Sequence, residues 1–109
     1  MIRMLDLTII LMIWGKILKY SIKFTKRFKK DLKQVKKQGK DIEKLFAVIE
    51  KIAKDETLDE KYRDHPLAGN YKGTRECHIE PDFLLIYEKI EEVLVLSLVR
   101  TGSHSDLFK

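Results

Sequence analysis

The chain has 109 residues, with 22 lysines or arginines against 17 aspartates or glutamates and a formal net charge of +5. This length predicts one domain that can bury a core without disulfides or structural metals. The single cysteine, Cys77, excludes an intramolecular disulfide framework and a CxxC metal site, and it favours a cytoplasmic location. The basic balance favours a polyanionic partner such as nucleic acid or an acidic protein.

Residues 1–18 stand apart from the rest of the chain. Their apolar run, residues 7–14, is shorter than the roughly 20 residues that a membrane-spanning helix needs. Arg3 precedes the run as in a signal peptide, but no small-residue cleavage site follows. Three interpretations stay open: an extra element packed on the domain, a membrane-binding or targeting segment, or an overlong start. We favour the last and place the domain at residues 19–109.

The first half of this domain predicts one strand and two helices. Residues 19–24 alternate between polar and apolar side chains, which is typical of a half-buried strand. Thr25 is a candidate N-cap for a helix that Gly39 ends. Asp41 is a candidate N-cap for a second amphipathic helix that fades near Asp55. Because the connection is short, the helices are expected to form an antiparallel hairpin.

The first helix carries most of the positive charge. Residues 19–40 contain ten lysines or arginines and a single acid, Asp31. Such a one-sided cluster raises self-repulsion in the folded state. Two interpretations follow: a helix face that is merely solvated, or a surface for RNA or an acidic protein segment.

The second half of the chain predicts three strands. A polar linker, residues 57–69, contains a turn at His65 and Pro66, and strands follow at residues 74–79, 83–89 and 93–101. The last strand is the most apolar and is expected to be central. The predicted order is β-α-α-β-β-β, an α+β fold with a two-helix hairpin packed on one face of a small antiparallel sheet.

The three histidines, His65, His78 and His104, lie in a turn, a strand and a tail. Their spacings match no zinc motif, so no metal site is predicted. Taken singly, each is more typical of a structural or surface histidine. However, Glu76 and Glu80 flank His78 at strand spacing, so these three side chains are expected on one sheet face.

Further polar residues near these histidines would suit metal-free cleavage of RNA. Asp82 follows at a chain reversal, and Arg75 and Arg100 lie on neighbouring strands. Such cleavage needs a base for the 2′-hydroxyl, an acid for the leaving 5′-oxygen and a cation for the phosphate. Alternation along the last strand predicts that the Arg100 side chain lies on the same side as the core leucines of that strand. Either the strand ends before Arg100, or the site lies at the edge of the core face.

Three segments, RDHPL at residues 63–67, HIEPD at 78–82 and RTGSHSDLF at 100–108, resemble the YafQ branch of the RelE toxin superfamily. Members are the ribonuclease components of type II toxin–antitoxin pairs. The similarity runs from about residue 19 to residue 108. It implies a compact α+β domain, metal-independent cleavage of mRNA, typically on translating ribosomes, and no cofactor. Two departures, Phe83 where tryptophan occurs and Glu76 where aspartate is common, could change rate or codon preference.

The resemblance also assigns residues and partners. The implied catalytic residues are His65, His78, Asp82, Arg100, His104 and Phe108. The implied RNA-binding residues are Lys26, Arg27, Lys30, Lys33, Arg75 and Phe83. Among them, His104 would be a general acid or base, and Phe108 would stack on a base or position His104.

The implied partners are mRNA, the ribosome and a DinJ- or RelB-like antitoxin with an acidic wrapping segment, all in the cytoplasm and with no membrane. The principal alternative is a RelE-fold module that binds RNA or ribosomes without efficient cleavage. A membrane-associated protein anchored by residues 1–14 is the second alternative.

Overall fold

The computed structural model describes residues 18–108 and places two long helices against one face of a five-stranded sheet. The elements are β1 (Ser21–Phe24), α1 (Lys26–Lys37), α2 (Ile42–Ala53), β2 (His65–Pro66), β3 (Arg75–Glu80), β4 (Phe83–Ile90), β5 (Val95–Gly102) and α3 (His104–Leu107). Two 3₁₀ turns, Glu60–Tyr62 and Gly69–Tyr71, lie between α2 and β3. The predicted α+β class is confirmed, with β2 and α3 as additional short elements. The predicted N-terminal extension lies, except for its last residue, outside the described residues.

The helix boundaries follow from local capping. The Thr25 hydroxyl accepts a hydrogen bond from the backbone N–H of Phe28 at 3.1 Å, and the Asp41 carboxylate accepts one from Lys44 at 3.0 Å. Each bond satisfies an N–H that has no partner within its helix. Gly39 follows α1 with φ +76°, a left-handed conformation that glycine adopts without strain. The predicted caps are therefore confirmed.

The sheet is mixed rather than wholly antiparallel. Its strand order is β1-β5-β4-β3-β2, and β3, β4 and β5 form the predicted antiparallel meander. Strand β1 runs parallel to β5, with Ser21 opposite Val95 and Phe24 opposite Leu98. The apolar β5 is therefore an interior strand, but the central strand is its neighbour β4 and not β5 as predicted. No helix within residues 18–108 is long and apolar enough to cross a membrane.

The core lies between the sheet and the two long helices. We call the sheet face that carries α1 and α2 the inner face, and the opposite one the outer face. Inner-face strand residues in the core are Cys77, Ile79, Phe83, Leu85, Tyr87, Leu96 and Leu98. The helices contribute Phe28, Leu32, Val35, Leu45, Val48, Ile49, Ile52 and Ala53. Burying a large apolar side chain of this kind contributes about 1.5–3 kcal/mol, so this layer dominates stability.

A β-bulge near the end of β3 changes the direction of its last residue. His78 pairs with Leu84, and Glu80 pairs with the first residue of β4. Ile79, between them, has no partner on β4. The extra residue interrupts the alternation of side chains. The Glu80 carboxylate accordingly lies 3.6 Å from the ammonium of Lys44 on α2. The prediction that Glu80 shares a face with its neighbouring histidine is therefore wrong.

A second bulge, on β5, decides where Arg100 points. Leu98 pairs with Tyr87 and Arg100 pairs with Ile86, which leaves Val99 between them without a partner. Tyr87 belongs to the inner face, whereas Ile86 packs in the outer-face cluster. Arg100 therefore shares the outer face with Ile86 rather than the side of the core leucines. Neither sequence-based alternative holds, because the strand continues to Gly102 and the bulge reverses the alternation.

Candidate active site

The sheet register brings charged and histidine side chains into one row across the outer face. His65 on β2 pairs with Glu76 on β3, Glu76 pairs with Ile86 on β4, and Ile86 pairs with Arg100 on β5. Adjacent strands lie about 4.8 Å apart, so the row extends about 14 Å between its end residues. His78 belongs to the next row, two residues further along β3. Strand pairing thus brings together residues that are far apart in the chain.

An apolar cluster forms the floor beneath this row. It contains Leu84, Ile86 and Leu107, with Leu67, Tyr71 and Val99 packed against them. Leu107 reaches the sheet because Gly102 has no side chain: a Cβ there would lie only 3.3 Å from a Leu107 methyl carbon. This close approach seats the short helix α3 on the outer face and brings His104 over the site.

His104 is held by Asp82 in the reversal between β3 and β4. One Asp82 carboxylate oxygen accepts hydrogen bonds from the His104 backbone N–H and from its ring Nδ1, each at 2.9 Å. These two bonds hold the pKa of the Asp82 carboxyl below its usual range, and the bond from the backbone N–H has the larger effect. Because a carboxylate only accepts, Nδ1 carries the proton and Nε2 is free to exchange one with a substrate.

Glu76 links the other two histidines. One Glu76 oxygen lies 3.4 Å from Nε2 of His65 and 3.6 Å from Nε2 of His78. Their Nδ1 atoms face backbone carbonyls, at 2.6 Å from Arg63 for His65 and at 3.3 Å from Pro81 for His78. Glu76 is only 4% exposed. This buried carboxylate is therefore placed to balance a positive charge on either imidazole.

The three imidazoles and one phenyl ring form a continuous chain of ring contacts. Ring centroids lie 6.4 Å apart for His65 and His78, 5.6 Å for His78 and His104, and 6.2 Å for His104 and Phe108. The middle ring, His78, has a side chain only 12% exposed, against 46% for His65 and 53% for His104. A substrate can therefore reach the two outer histidines more easily than the one between them.

Arg100 is fixed by partners from two distant segments. Its Nε and Nη2 donate to the Asp31 carboxylate at 2.6 and 3.1 Å, and its Nη1 donates to the Tyr71 hydroxyl at 3.2 Å. The bonds to Asp31 raise the pKa of the guanidinium. Tyr71 in turn meets Phe108 edge-on, with ring centroids 5.7 Å apart. Arg100 thus joins the lysine-rich helix α1 to the aromatic end of the site.

A second ion pair fixes the segment that carries His65. The Asp64 carboxylate accepts a hydrogen bond from the Tyr87 hydroxyl at 2.6 Å and from Arg75 Nε at 3.3 Å. Burial raises the pKa of Tyr87, and the bond to Asp64 raises the pKa of Arg75. Arg75, predicted to bind RNA, is therefore engaged by Asp64, although its side chain stays 42% exposed. The network anchors the residue next to His65 to the sheet.

The remaining residues predicted to bind RNA lie in two different environments. Lys26, Arg27, Lys30 and Lys33 are exposed on α1. Arg27 lies 4.0 Å from Asp31, the partner of Arg100, so this basic surface borders the site. Phe83 is fully buried on the inner face, under the ammonium of Lys40 at 6.0 Å from its ring centroid. The prediction that Phe83 contacts RNA is therefore wrong.

Residues that support the site were missed by the sequence interpretation. Asp31 was noted only as the single acid of a basic helix, which was the signal that could have found it. Asp64, Tyr71 and Tyr87 carried no assigned role. Cys77 is fully buried, and burial raises the pKa of its thiol, so it is a core residue and not a nucleophile.

Three side chains of the site could also hold a metal ion. Glu76, His78 and His104 each offer one ligand atom, and these atoms lie within 4.8 Å of one another. Imidazole nitrogens with a carboxylate oxygen suit zinc, copper or nickel. The sequence predicted no such site because the three residues follow no ligand spacing along the chain; strand pairing and α3 bring them together.

Comparison with known proteins identifies the family. A family model described as the bacterial toxin YafQ of type II toxin–antitoxin systems matches residues 20–109. The mRNA interferase toxin YafQ of Escherichia coli is 38% identical over 88 residues, which cover 80% of this chain and 94% of the relative.

Two solved structures share the fold. The crystal structure of the E. coli DinJ–YafQ toxin–antitoxin complex matches with a TM-score of 0.76 and 35% identity, over 84% of this chain and 100% of that one. A metal-bound toxin from Helicobacter pylori matches with a TM-score of 0.75 and 47% identity, over 80% of this chain and 97% of that one. Because the family model matches residues 20–109, the chain belongs to the YafQ family of bacterial toxins.

Proposed function

We propose that this chain is the mRNA interferase of a type II toxin–antitoxin pair and that it cleaves mRNA without a metal. The observation that carries the proposal is the pair of accessible imidazoles, His65 and His104, on the face that also presents Arg100. The E. coli relative is named as an mRNA interferase toxin, which supports the substrate class. The family model matches residues 20–109 and so covers all three side chains.

The proposed reaction is attack of a ribose 2′-oxygen on the adjacent phosphorus. The new bond joins phosphorus to the 2′-oxygen, the bond to the 5′-oxygen breaks, and the products end in a 2′,3′-cyclic phosphate and a 5′-hydroxyl. His65 and His104 take the 2′-proton and supply the 5′-proton between them. Arg100 stabilises the negative charge on the phosphate oxygens. His78 and Asp82 position the two outer histidines, and Phe108 stacks on a neighbouring base.

The proposed inhibitor is an antitoxin whose acidic segment covers the site. A YafQ relative is solved in complex with DinJ, and the exposed basic surface of α1 in this chain suits an acidic partner. The same surface, Lys26, Arg27, Lys30 and Lys33, is the proposed contact for mRNA or the ribosome when the antitoxin is absent. Both functions place the protein in the cytoplasm, where mRNA is translated.

Cleavage of a defined RNA tests the proposal. His104→Ala and His65→Ala are each expected to lower kcat about 10²–10⁴-fold, the usual contribution of a general acid or base. Both side chains are about half exposed, so antitoxin binding and thermal stability should remain close to those of the parent. Primer extension on RNA from expressing cells, with and without the cognate antitoxin, gives the position of the cut.

Two outcomes would contradict the proposal. Parent-like cleavage by both histidine variants would refute the site. A parent protein that binds RNA or ribosomes and never cuts them would replace the nuclease with a RelE-fold binding module. An RNA with one 2′-deoxyribose at the cut is the matched control substrate, because it lacks only the attacking hydroxyl and should resist cleavage.

Binding of a transition metal is a second candidate function of the same face. Glu76, His78 and His104 bring their ligand atoms within 4.8 Å, and a relative 47% identical to this chain is solved as a metal-bound toxin. A coordinated imidazole cannot exchange a proton at the same nitrogen, so metal binding and cleavage would compete.

Cleavage assays with and without metal separate the two functions. Chelator treatment is expected to leave cleavage unchanged, and added zinc or copper is expected to inhibit it reversibly, whereas magnesium at the same concentration should not. Calorimetric titration of zinc into parent protein and Glu76→Gln then tests the ligand set. Loss of cleavage on chelation would show that catalysis itself requires the metal.

A further inference from the structure

An open cleft adjoins the proposed active site. It has a volume of about 550 Å³ and is lined by Ala68, Asn70, Tyr71, Leu107 and Phe108. Two of its walls belong to the site itself. Phe108 contacts the ring of His104, and the Tyr71 hydroxyl accepts a hydrogen bond from Arg100. A group in this cleft would therefore lie next to both a proton-transfer residue and the proposed phosphate ligand.

The walls of the cleft suit a flat aromatic ligand. Phe108 is 43% exposed and meets Tyr71 at an interplanar angle of 80°, so the two rings form a corner. Leu107 is buried behind them. Proteins that recognise single-stranded RNA place bases on such exposed aromatic rings and read the base edge with hydrogen-bonding side chains. The cleft volume also lies within the usual range of small-ligand sites.

Asn70 supplies the hydrogen-bonding group. Its side chain is exposed, and its amide makes no hydrogen bond to any other residue between 18 and 108. The turn that carries it is held rigidly. The Lys72 backbone N–H donates to the Gly69 carbonyl at 3.1 Å, and the Thr74 hydroxyl donates to the Tyr71 carbonyl at 2.6 Å. The amide is thus presented on a fixed segment beside two aromatic rings.

We propose that this cleft binds the nucleobase of a nucleotide that flanks the scissile phosphate, and that Asn70 determines base preference there. The inference rests on the proposed RNA cleavage and adds a specificity residue to it. The base stacks on Phe108, Tyr71 closes the edge of the subsite, and the Asn70 amide pairs with the exposed base edge. An amide offers one donor beside one acceptor, whereas a carboxylate only accepts.

This difference gives a directional test. In Asn70→Asp the carboxylate can accept from two adjacent donors, which guanine alone presents through its ring N–H and exocyclic amino group. Sequencing the cleavage products of a randomised RNA pool should therefore show a shift towards guanine at one position next to the cut. Gln38→Glu makes the same change from amide to carboxylate on an exposed residue outside the cleft, and it should keep the base preference of the parent.

A binding measurement completes the test. RNA with 2′-deoxyribose at the cut is titrated with parent, Phe108→Leu and Asn70→Asp proteins. Loss of the aromatic ring should weaken binding about 5- to 150-fold, the range expected for one stacked base. An Asn70→Asp profile identical to that of the parent, by cleavage and by affinity, would overturn the inference. A parent that cleaves nothing would overturn the proposed function instead, and affinities for the four bases would still decide the role of Asn70.

Discussion

The two faces of the sheet are built from the same strands and have different roles. On the inner face, residues such as Phe83, Leu85 and Leu98 have no exposed surface and pack under two helices. On the outer face, a small floor around Leu84 and Ile86 supports two half-exposed histidines and an arginine whose side chain is 12% exposed. Burial on one face provides stability, and accessibility on the other provides chemistry. Substitutions should therefore separate folding from activity according to face.

Two phenylalanines test this separation most strongly. Phe83→Ala on the inner face should lower the free energy of unfolding by about 3–5 kcal/mol, the usual cost of emptying a buried aromatic site. That is a large part of the roughly 5–15 kcal/mol that stabilises a domain. Phe108→Ala on the outer face should change stability little and should reduce RNA cleavage strongly. Urea denaturation and a cleavage assay on both variants provide the comparison, and equal losses of stability would contradict it.

Tyr87 connects the faces and should show a mixed effect. Its ring is buried on the inner face, while its hydroxyl donates to Asp64 beside His65. Tyr87→Phe removes that bond and should cost about 1–3 kcal/mol of stability. Displacement of His65 should also lower kcat about tenfold with little change in KM, because proton transfer depends on sub-ångström placement.

Tyr62→Phe is the matched control for that prediction. The Tyr62 hydroxyl makes no hydrogen bond to another residue in the described part of the chain, so its removal should leave stability and kcat unchanged. A purely structural role for Tyr87 would lower stability and leave kcat, measured well below the unfolding temperature, at the parent value.

Substitution of Asp82 should have the smallest effect on stability, and that effect should depend on pH. Its pKa is lowered from the ordinary value of 3.8 by hydrogen bonds from His104, so its stabilising contribution is complete above that value. The contribution is lost as pH falls through the lower pKa of the folded state, where the carboxyl takes up a proton. Asp82→Asn should therefore have a slightly lower Tm than the parent at pH 6–7. The difference should decrease as pH falls below 3.8 and through the lowered pKa of Asp82, and a difference that stays constant there would point to another cause.

Local patterns predicted the elements that depend on local interactions. Thr25 and Asp41 cap their helices because a cap needs only the next three residues. Phe83 was assigned to RNA by the family resemblance, and the apolar run at residues 83–87 lacks the alternation that would show which face each side chain takes. Glu80 and Arg100 were placed on the wrong face because each follows a bulge, and an extra unpaired residue leaves no mark in the sequence.

The side-chain contacts that support the site could not be predicted from the sequence, for a different reason. Asp31 and Arg100 are 69 positions apart, and Asp64 and Tyr87 are 23 apart. Nothing in the spacing of these residues indicates that they meet, because the contacts depend on how α1 and β2 dock against the finished sheet. The resemblance to a known family brought the histidines together in the prediction; the residues that hold them in place required three-dimensional coordinates.

The unpaired Val99 has a genetic consequence. Removing its codon in frame would restore regular alternation along β5. Arg100 would then follow Leu98 directly, so it would still lie opposite Ile86 and on the outer face. Selection for survival under expression of this protein is therefore expected to recover substitutions of the histidines and not single-codon deletions at Val99. The strand would thus tolerate the loss of one residue at this position, because the pairs on both sides of Val99 keep their register.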